Sequence, residues 1–411
     1  MMQRRILPLL LAALLVFLSG CGDGVQNDVS VATVLKQASF RVPTDHSLPF
    51  PLEDLCRMDG LMSGKLLYTL NLSDQSLDQP PPDLRFHIYD TASRETEEVG
   101  QVLWTIAAND NVVFMPNGKA YYSFDDYENE SQSMTDGLKI VEVDMQNRTI
   151  VNRVVMAADY PLSNLEKISD TEFIYDVGLG VDVRNFSYYI YNTETNTNTL
   201  FLTMPFNPET KVGKIPYRAR RVGEEIWILA QTVEGEKQTN ALEKYSRDGK
   251  LIGTLPLPQE ISPYIDDDGE RYRISDFKVR GNQYYFYSDG TGKKFYYTLT
   301  KGKFVAQTSE YGWGTLYPED DPQYVIYNHL SNRSSLFFLN QQTGETVQCK
   351  FQIDNEYNTI RNILFDSSGN SDQVALVCMD KAPLEPNAKN RYQVYFMNFS
   401  DVLRAAGLEV S

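Results

Sequence analysis

The sequence predicts an all-β chain built from a recurring unit, on three observations. Aromatic and β-branched runs of five to eight residues recur along most of its length, divided by Asn, Asp, Gly, Ser and Thr. Long stretches with helical periodicity are nearly absent. The runs also return in the same order at an interval of about fifty residues.

The first twenty residues stand apart from this pattern. Arg4 and Arg5 precede an apolar stretch over 6–17, broken only by Pro8. That is shorter than the roughly 20 apolar residues of a membrane-spanning helix, and it has the charged, apolar, small-residue order of an export signal. The next four residues, Leu18-Ser19-Gly20-Cys21, resemble the lipobox of bacterial lipoproteins. In that family the cysteine thiol receives a diacylglyceryl group, and cleavage makes the cysteine the new N-terminus. The resemblance covers about twenty residues. It implies that residues 1–20 are removed and that Cys21 carries acyl chains such as palmitate. Two chains are enough for stable anchoring. The protein is then expected outside the cytoplasm, held to the cell membrane or the outer membrane. Residues 21–30, small and polar, read as a flexible tether.

From 31 to 411 the chain reads as a single domain. Residues 31–42, "VATVLKQASFRV", have enough Val, Phe and Thr for one strand. Then a strand ending in a polar turn, followed by a second strand, recurs in "RFHIYDTASRETEEV", "LKIVEVDMQNRTIVNRVV", "SYYIYNTETNTNTLFL", "ALEKYSRDGKLIGTL", "KFYYTLTKGKFVAQ" and "SLFFLNQQTGETVQCKF". The first turn residues are Asp90, Asp144, Asn192, Ser246, Thr300 and Asn340, separated by 54, 48, 54, 54 and 40 residues. A seventh strand, "RYQVYFMN", reaches the same point at Asn398, 58 residues later. Each unit has two preceding strands, "WGTLY" and "QYVIYNHL" in the sixth, "YRISDFKV" and "QYYFYSD" in the fifth.

Seven four-stranded units of this period resemble the seven-bladed β-propellers. In that fold both faces of a blade are covered by neighbours, which accounts for strands apolar on both sides. After Asn398 no fourth strand follows, and "FSDVLRAAGLEVS" reads as a short helix or tail. Residues 31–42 are therefore expected to close the ring as the outer strand of the seventh blade. The resemblance is architectural: no Trp-Asp signature ends the strands, and the Thr-Gly turn of "QQTGETV" occurs once.

Composition narrows the partners. The chain of 411 residues has a net charge of −17. Removing Arg4 and Arg5 with the signal leaves 36 basic and 55 acidic residues, or −19. Such a chain is not suited to nucleic acid, whose binding depends on Lys and Arg, nor to lying flat on anionic lipid. Cys56, Cys349 and Cys378 each lie among apolar residues and read as buried thiols. His46, His87 and His329 are far apart and share no metal-ligand spacing.

No catalytic constellation is legible. The chain has no G-x-S-x-G elbow, no phosphate-binding or dinucleotide fingerprint and no complete sialidase Asp box; "SRDGKLIG" places Gly249 one residue early. The segment "SPYIDDDGERY" offers hard oxygen ligands, so Asp266 and Asp268 are the candidate Ca²⁺ ligands. An EF-hand register fails, because it would place Tyr264 and Ser275 at its first and last ligand positions. A solvated acidic loop is the simpler account.

Strand order gives this loop its interest. In a propeller it shares a rim with the connections between second and third strands, and the long segments 73–84, 125–137, 232–240 and 380–390 fall there too. Loops on a rigid scaffold are where binding concentrates. Asp125, Asp126, Tyr127, Tyr264, Asp266, Asp267, Asp268 and Glu270 are the candidate ligand face. The expected role is a non-enzymatic envelope lipoprotein that binds a protein, peptide or glycan. A carbohydrate-active enzyme using rim carboxylates and an assembly scaffold are the alternatives.

Overall fold

In the computed structural model, the described residues are 34–408, except for 50–51, 54–55, 72–82, 104–111, 126–137, 157–164, 178–184, 259, 263, 266–270, 273, 289–293, 308–323, 330–331, 341–342, 344, 355–356, 358, 370 and 381–390. The expected strand "WGTLY" (313–317) lies outside them. Two N-terminal strands, β1 (Val34–Arg41) and β2 (Leu52–Glu53), precede the recurring units. The first sheet is β3 (Cys56–Met62), β4 (Lys65–Asn71), β5 (Asp83–Asp90) and β6 (Glu95–Leu103). The second is β7 (Val112–Met115), β8 (Lys119–Asp125), β9 (Leu138–Asp144) and β10 (Thr149–Met156).

Next come β11 (Leu165–Lys167), β12 (Glu172–Val177), β13 (Asn185–Asn192) and β14 (Thr197–Asn207), then β15 (Val212–Val222), β16 (Glu225–Glu234), β17 (Lys237–Tyr245) and β18 (Leu251–Pro256). These eight form one sheet, but β14 meets β15 only through Phe206–Gly213 and Asn207–Val212, so it hinges into two four-stranded halves. A small hairpin, β19 (Tyr264–Ile265) and β20 (Arg271–Tyr272), leads to β21 (Asp276–Arg280), β22 (Gln283–Tyr287), β23 (Lys294–Thr300) and β24 (Lys303–Gln307). The last two sheets are β25 (Tyr324–His329), β26 (Asn332–Asn340) and β27 (Thr346–Gln352), then β28 (Thr359–Phe365), β29 (Gln373–Met379) and β30 (Arg391–Asn398). A helix, α1 (Phe399–Ala405), follows, as "FSDVLRA" suggests.

The recurring turn has a local cause. Asp90 Oδ1 accepts hydrogen bonds from the Ala92 and Ser93 amides at 2.9 and 3.3 Å. Asp144 does the same for Gln146 and Asn147, and Asn192 for Glu194 and Thr195. The side-chain oxygen caps the turn as an Asx motif. The chain then re-enters the next strand through a left-handed residue: Arg94, Arg148 and Asn196 have φ of 62°, 54° and 54°. This is why Asp or Asn ends the third strand so often.

Burial within a sheet falls from its middle strands to its outer one. In β29, "QVALVCM", the five central residues are all buried, and in β16 six in a row are. Outer strands such as β14 and β18 are mostly exposed. Middle strands are therefore covered on both faces, as continuous apolar runs require. Hydrophobic clusters join each sheet to the next. Phe86 and Tyr122 pack between the first and second sheets, and Tyr121 with Phe173 between the second and third units. Tyr188 with Ile228 and Trp227 with Phe277 continue the series. Tyr285 packs on Tyr327 and Phe337, Phe338 on Val374, and Tyr89 on Phe396. The last pair joins the final sheet to the first.

One expectation is corrected. Residues 31–42 do not edge the last sheet. β1 pairs in parallel with β27, with Phe40 beside Phe351 at a ring separation of 5.6 Å. The last sheet is edged instead by 46–53. His46 accepts from the Phe396 amide, the Leu48 amide donates to Val394, and Leu52 and Glu53 pair with Tyr392 and Arg391. "HSLPFPLE" contains two prolines and does not read as a strand; an outer edge is the position in a sheet that tolerates them. A second correction concerns 232–240, expected as a long loop. It is the end of β16, a tight turn at Gly235-Glu236 and the start of β17.

Candidate functional site

Strand alternation sorts the connections into two opposite rims. On one rim every described connection is short, from Ser63-Gly64 to the 366–372 segment, and these turns are stitched across sheets. Asp366 accepts from the Ser63 and Gly64 amides at 3.0 and 3.1 Å. Burial alone would raise its carboxyl, but those amides, with Ser368, hold it below the usual carboxylate range. Arg148 donates to Glu97 at 2.7 Å and to Asp90 at 3.3 Å, and Arg247 reaches Glu172 at 2.7 Å. Thr91 Oγ1 donates to Gly64 O at 2.7 Å.

The opposite rim receives the connections 72–82, 104–111, 126–137, 257–275 and 380–390. Asp125 is the last residue of β8, and Tyr264 opens β19; both backbones stand toward this rim. Their side chains, and Asp126, Tyr127, Asp266, Asp267, Asp268 and Glu270, lie outside the described residues, as does Cys21. One feature around the acidic segment was not expected from sequence: the residues on either side of it pair, Tyr264 with Tyr272 and Ile265 with Arg271. The signal was present as apolar and aromatic residues flanking "DDDGE".

Between the rims, the first strands β28, β3, β7, β11, β15 and β21 adjoin one another in that order. They carry a charged belt that sequence reasoning passed over. Arg220 on β15 grips Asp276 on β21 with two hydrogen bonds, at 3.0 and 2.8 Å, and reaches Glu166 on β11 at 3.3 Å. Arg218 stands 3.5 Å from the same aspartate. Burial works to raise the Asp276 carboxyl, and the two guanidinium charges overcome it and hold it low. One arginine thus ties three units together. The signal was the alternation in "YRARRV", which puts Arg218 and Arg220 on one face of the strand.

A second polar group lies on β3. Asp59 sits where the β3–β4 register slips, is buried, and accepts from Arg57 Nε at 2.5 Å. Here burial outweighs the Arg57 charge and raises the carboxyl. Tyr122 beside it is raised further, by burial first and by the aspartate second. Cys349 and Cys378 are buried free thiols, the first pushed up to about 11 by burial. His87, half-buried against Tyr68, is lowered mainly by burial. Among the described residues no three His, Cys, Asp or Glu side chains converge on one point.

No family model and no curated protein matches the chain. It is similar to a structure from a study of two prolyl endopeptidases, at 12% identity and a TM-score of 0.41, over 87% of this chain and 48% of that one. It therefore spans about half the length of that protein. It is also similar to the β-propeller domain of the Trilobed protease from Pyrococcus furiosus, at 13% identity and a TM-score of 0.33, over 72% and 95% of the two chains. A putative 6-phosphogluconolactonase from Bacteroides fragilis is similar at 8% identity and a TM-score of 0.39, over 82% and 99%. These are distant likenesses of shape, and none of their chemistry is carried over to this chain.

Proposed function

We propose that the chain is a seven-bladed β-propeller, held in the bacterial envelope by acyl chains on Cys21, whose loop-bearing rim recognises a basic protein or peptide, or a glycan. The ring is supported by the clusters that join each unit to the next and the last to the first. The function is carried by the inequality of the two rims: one is short, cross-stitched turns, the other receives nearly all the long connections. A scaffold that ties one face with short turns and carries its long connections on the other is built for binding on the second. The acidic segment 266–270 and the 125–127 segment supply carboxylates and aromatic rings there. Ca²⁺ held by Asp266 and Asp268 is a variant of the same reading, with the cation bridging to the partner.

The test replaces Asp266, Asp267 and Asp268 with Asn and compares capture from solubilised envelope with that of the parent. The proposal expects one partner that the parent retains at low salt, that is lost as salt rises, and that the variant fails to hold. The melting temperature should stay within about 2 °C, because solvated loop carboxylates contribute little to stability. Identical capture by parent and variant at every salt concentration would remove the acidic rim as the binding face. A large fall in melting temperature would mark these carboxylates as structural.

A further inference from the structure

β1 runs parallel to β27, so Val34 lies level with Thr346 and Arg41 with Gln352. Thr346 begins its strand just after the turn that follows Asn340, on the short-turn rim. The polarity of this sheet is fixed independently: Arg280, at the short-turn end of β21, donates to the Tyr324 carbonyl, where β25 begins. Helix α1 packs beside β1 at the same end, with Gly407 against Lys36. The described chain therefore starts on the short-turn rim, and residues 22–33 connect that point to Cys21.

We propose that the short-turn rim faces the membrane and the loop-bearing rim faces away from it; this rests on the reading of Cys21 as the lipid-bearing residue. Two independent features set this direction. The first is reach. The eight residues of β1 climb about 26 Å, at ~3.3 Å each. Residues 22–33 span about 20 Å with the dimensions of a coil, and about 40 Å pulled taut. Laying the loop rim on the bilayer would require them to climb that whole height of about 26 Å, beyond the coil's ~20 Å span and about two-thirds of their taut length.

The second feature is charge. The connections on the loop-bearing rim, from 54–55 to 380–390 and leaving out 308–323, whose two ends stand on opposite rims, contain 7 basic and 22 acidic residues. Those on the short-turn rim, from 63–64 to 366–372, contain 5 and 7. An anionic leaflet repels the first set and is almost indifferent to the second. Screening confines this repulsion to about 8 Å of the surface, which is where a rim laid on lipid would be.

The experiment uses the full-length acylated protein in vesicles of phosphatidylcholine and phosphatidylglycerol that carry a headgroup quencher. A dye is placed on Gln146→Cys, exposed on the short-turn rim, or on Glu236→Cys, exposed on the other. Mock-labelled parent controls for the native thiols, of which Cys349 and Cys378 are buried. Quenching should be at least threefold greater at 146 than at 236. Equal or reversed quenching on vesicles that the parent binds and Cys21→Ser does not would overturn the orientation and leave the anchor standing. If Cys21→Ser floats with vesicles as the parent does, the anchor itself is wrong and the orientation falls with it.

Discussion

Asp276 and Asp59 are two buried carboxylates whose surroundings push them in opposite directions. Asp276 is held below its ordinary value of 3.8 by Arg220 and Arg218 against the effect of burial, so it releases its proton more readily folded than unfolded. Its contribution to stability is present above pH 3.8 and disappears as pH falls through the lowered value. Asp59 is raised by burial, so its contribution runs the other way and declines as pH rises above 3.8. Asp276→Asn removes the carboxylate that Arg220 grips and should cost about 2 kcal/mol at pH 7, below the usual loss for a fully buried pair because the side chain is 27% exposed. Urea unfolding at pH 7 and at pH 3 checks this: the gap between parent and Asp276→Asn should narrow in acid. The gap for Asp59→Asn should move in the opposite direction. A gap for Asp276→Asn that is unchanged between the two pH values would show that the aspartate is not the electrostatic centre of the belt.

At the scale of elements, the N-terminal chain does two jobs that sequence had combined in one strand. β1 covers the outer edge of β27, and 46–53 covers β30. Removing residues 31–42 from a soluble form that begins after Cys21 should leave the last sheet edged and uncover Thr346–Gln352. Cys349, now buried beside Ala38 and Phe40, would become accessible, and its thiol, released from the burial that raises it, would gain reactivity. Thiol titration of the native protein should then gain one fast-reacting group, while removing 46–53 should not expose Cys349. The unpaired edge should also promote association at high concentration. An unreactive Cys349 after the 31–42 deletion would mean that β1 contributes no cover. The turn chemistry at this scale was legible, because Asp90, Asp144 and Asn192 act through their own backbones. The order of pairing at the N-terminus was not, because Pro49 and Pro51 disguise an edge as a loop.

For the whole molecule, the packing between units is uneven. The cluster between the last two sheets draws on β1, β25, β26, β27, β28, β29, β30 and α1, whereas among the described residues Tyr285, Tyr327, Phe337 and Leu339 join the fifth unit to the sixth. Local opening begins where least apolar surface has to be exposed. Native-state hydrogen exchange should therefore release the amides of β22 and β25 before those of β29, at a denaturant concentration below the global transition. Simultaneous exchange of all three would show that the units open only together.

Sequence by itself determined the all-β class, the recurrence of stranded units, and the turns that divide them. Those properties are written locally, in a strand's apolar run and in an Asp or Asn that caps the next turn. It also determined the chemistry available at the loops, since acidic residues and aromatic rings there are a matter of composition. Tertiary structure alone decided which strand covers which edge, and that Arg220 would meet Asp276 and Glu166 from three different units. It alone decided at which rim the N-terminal chain arrives. Such facts depend on contacts between residues dozens to hundreds apart, and a local pattern carries no record of its distant partner.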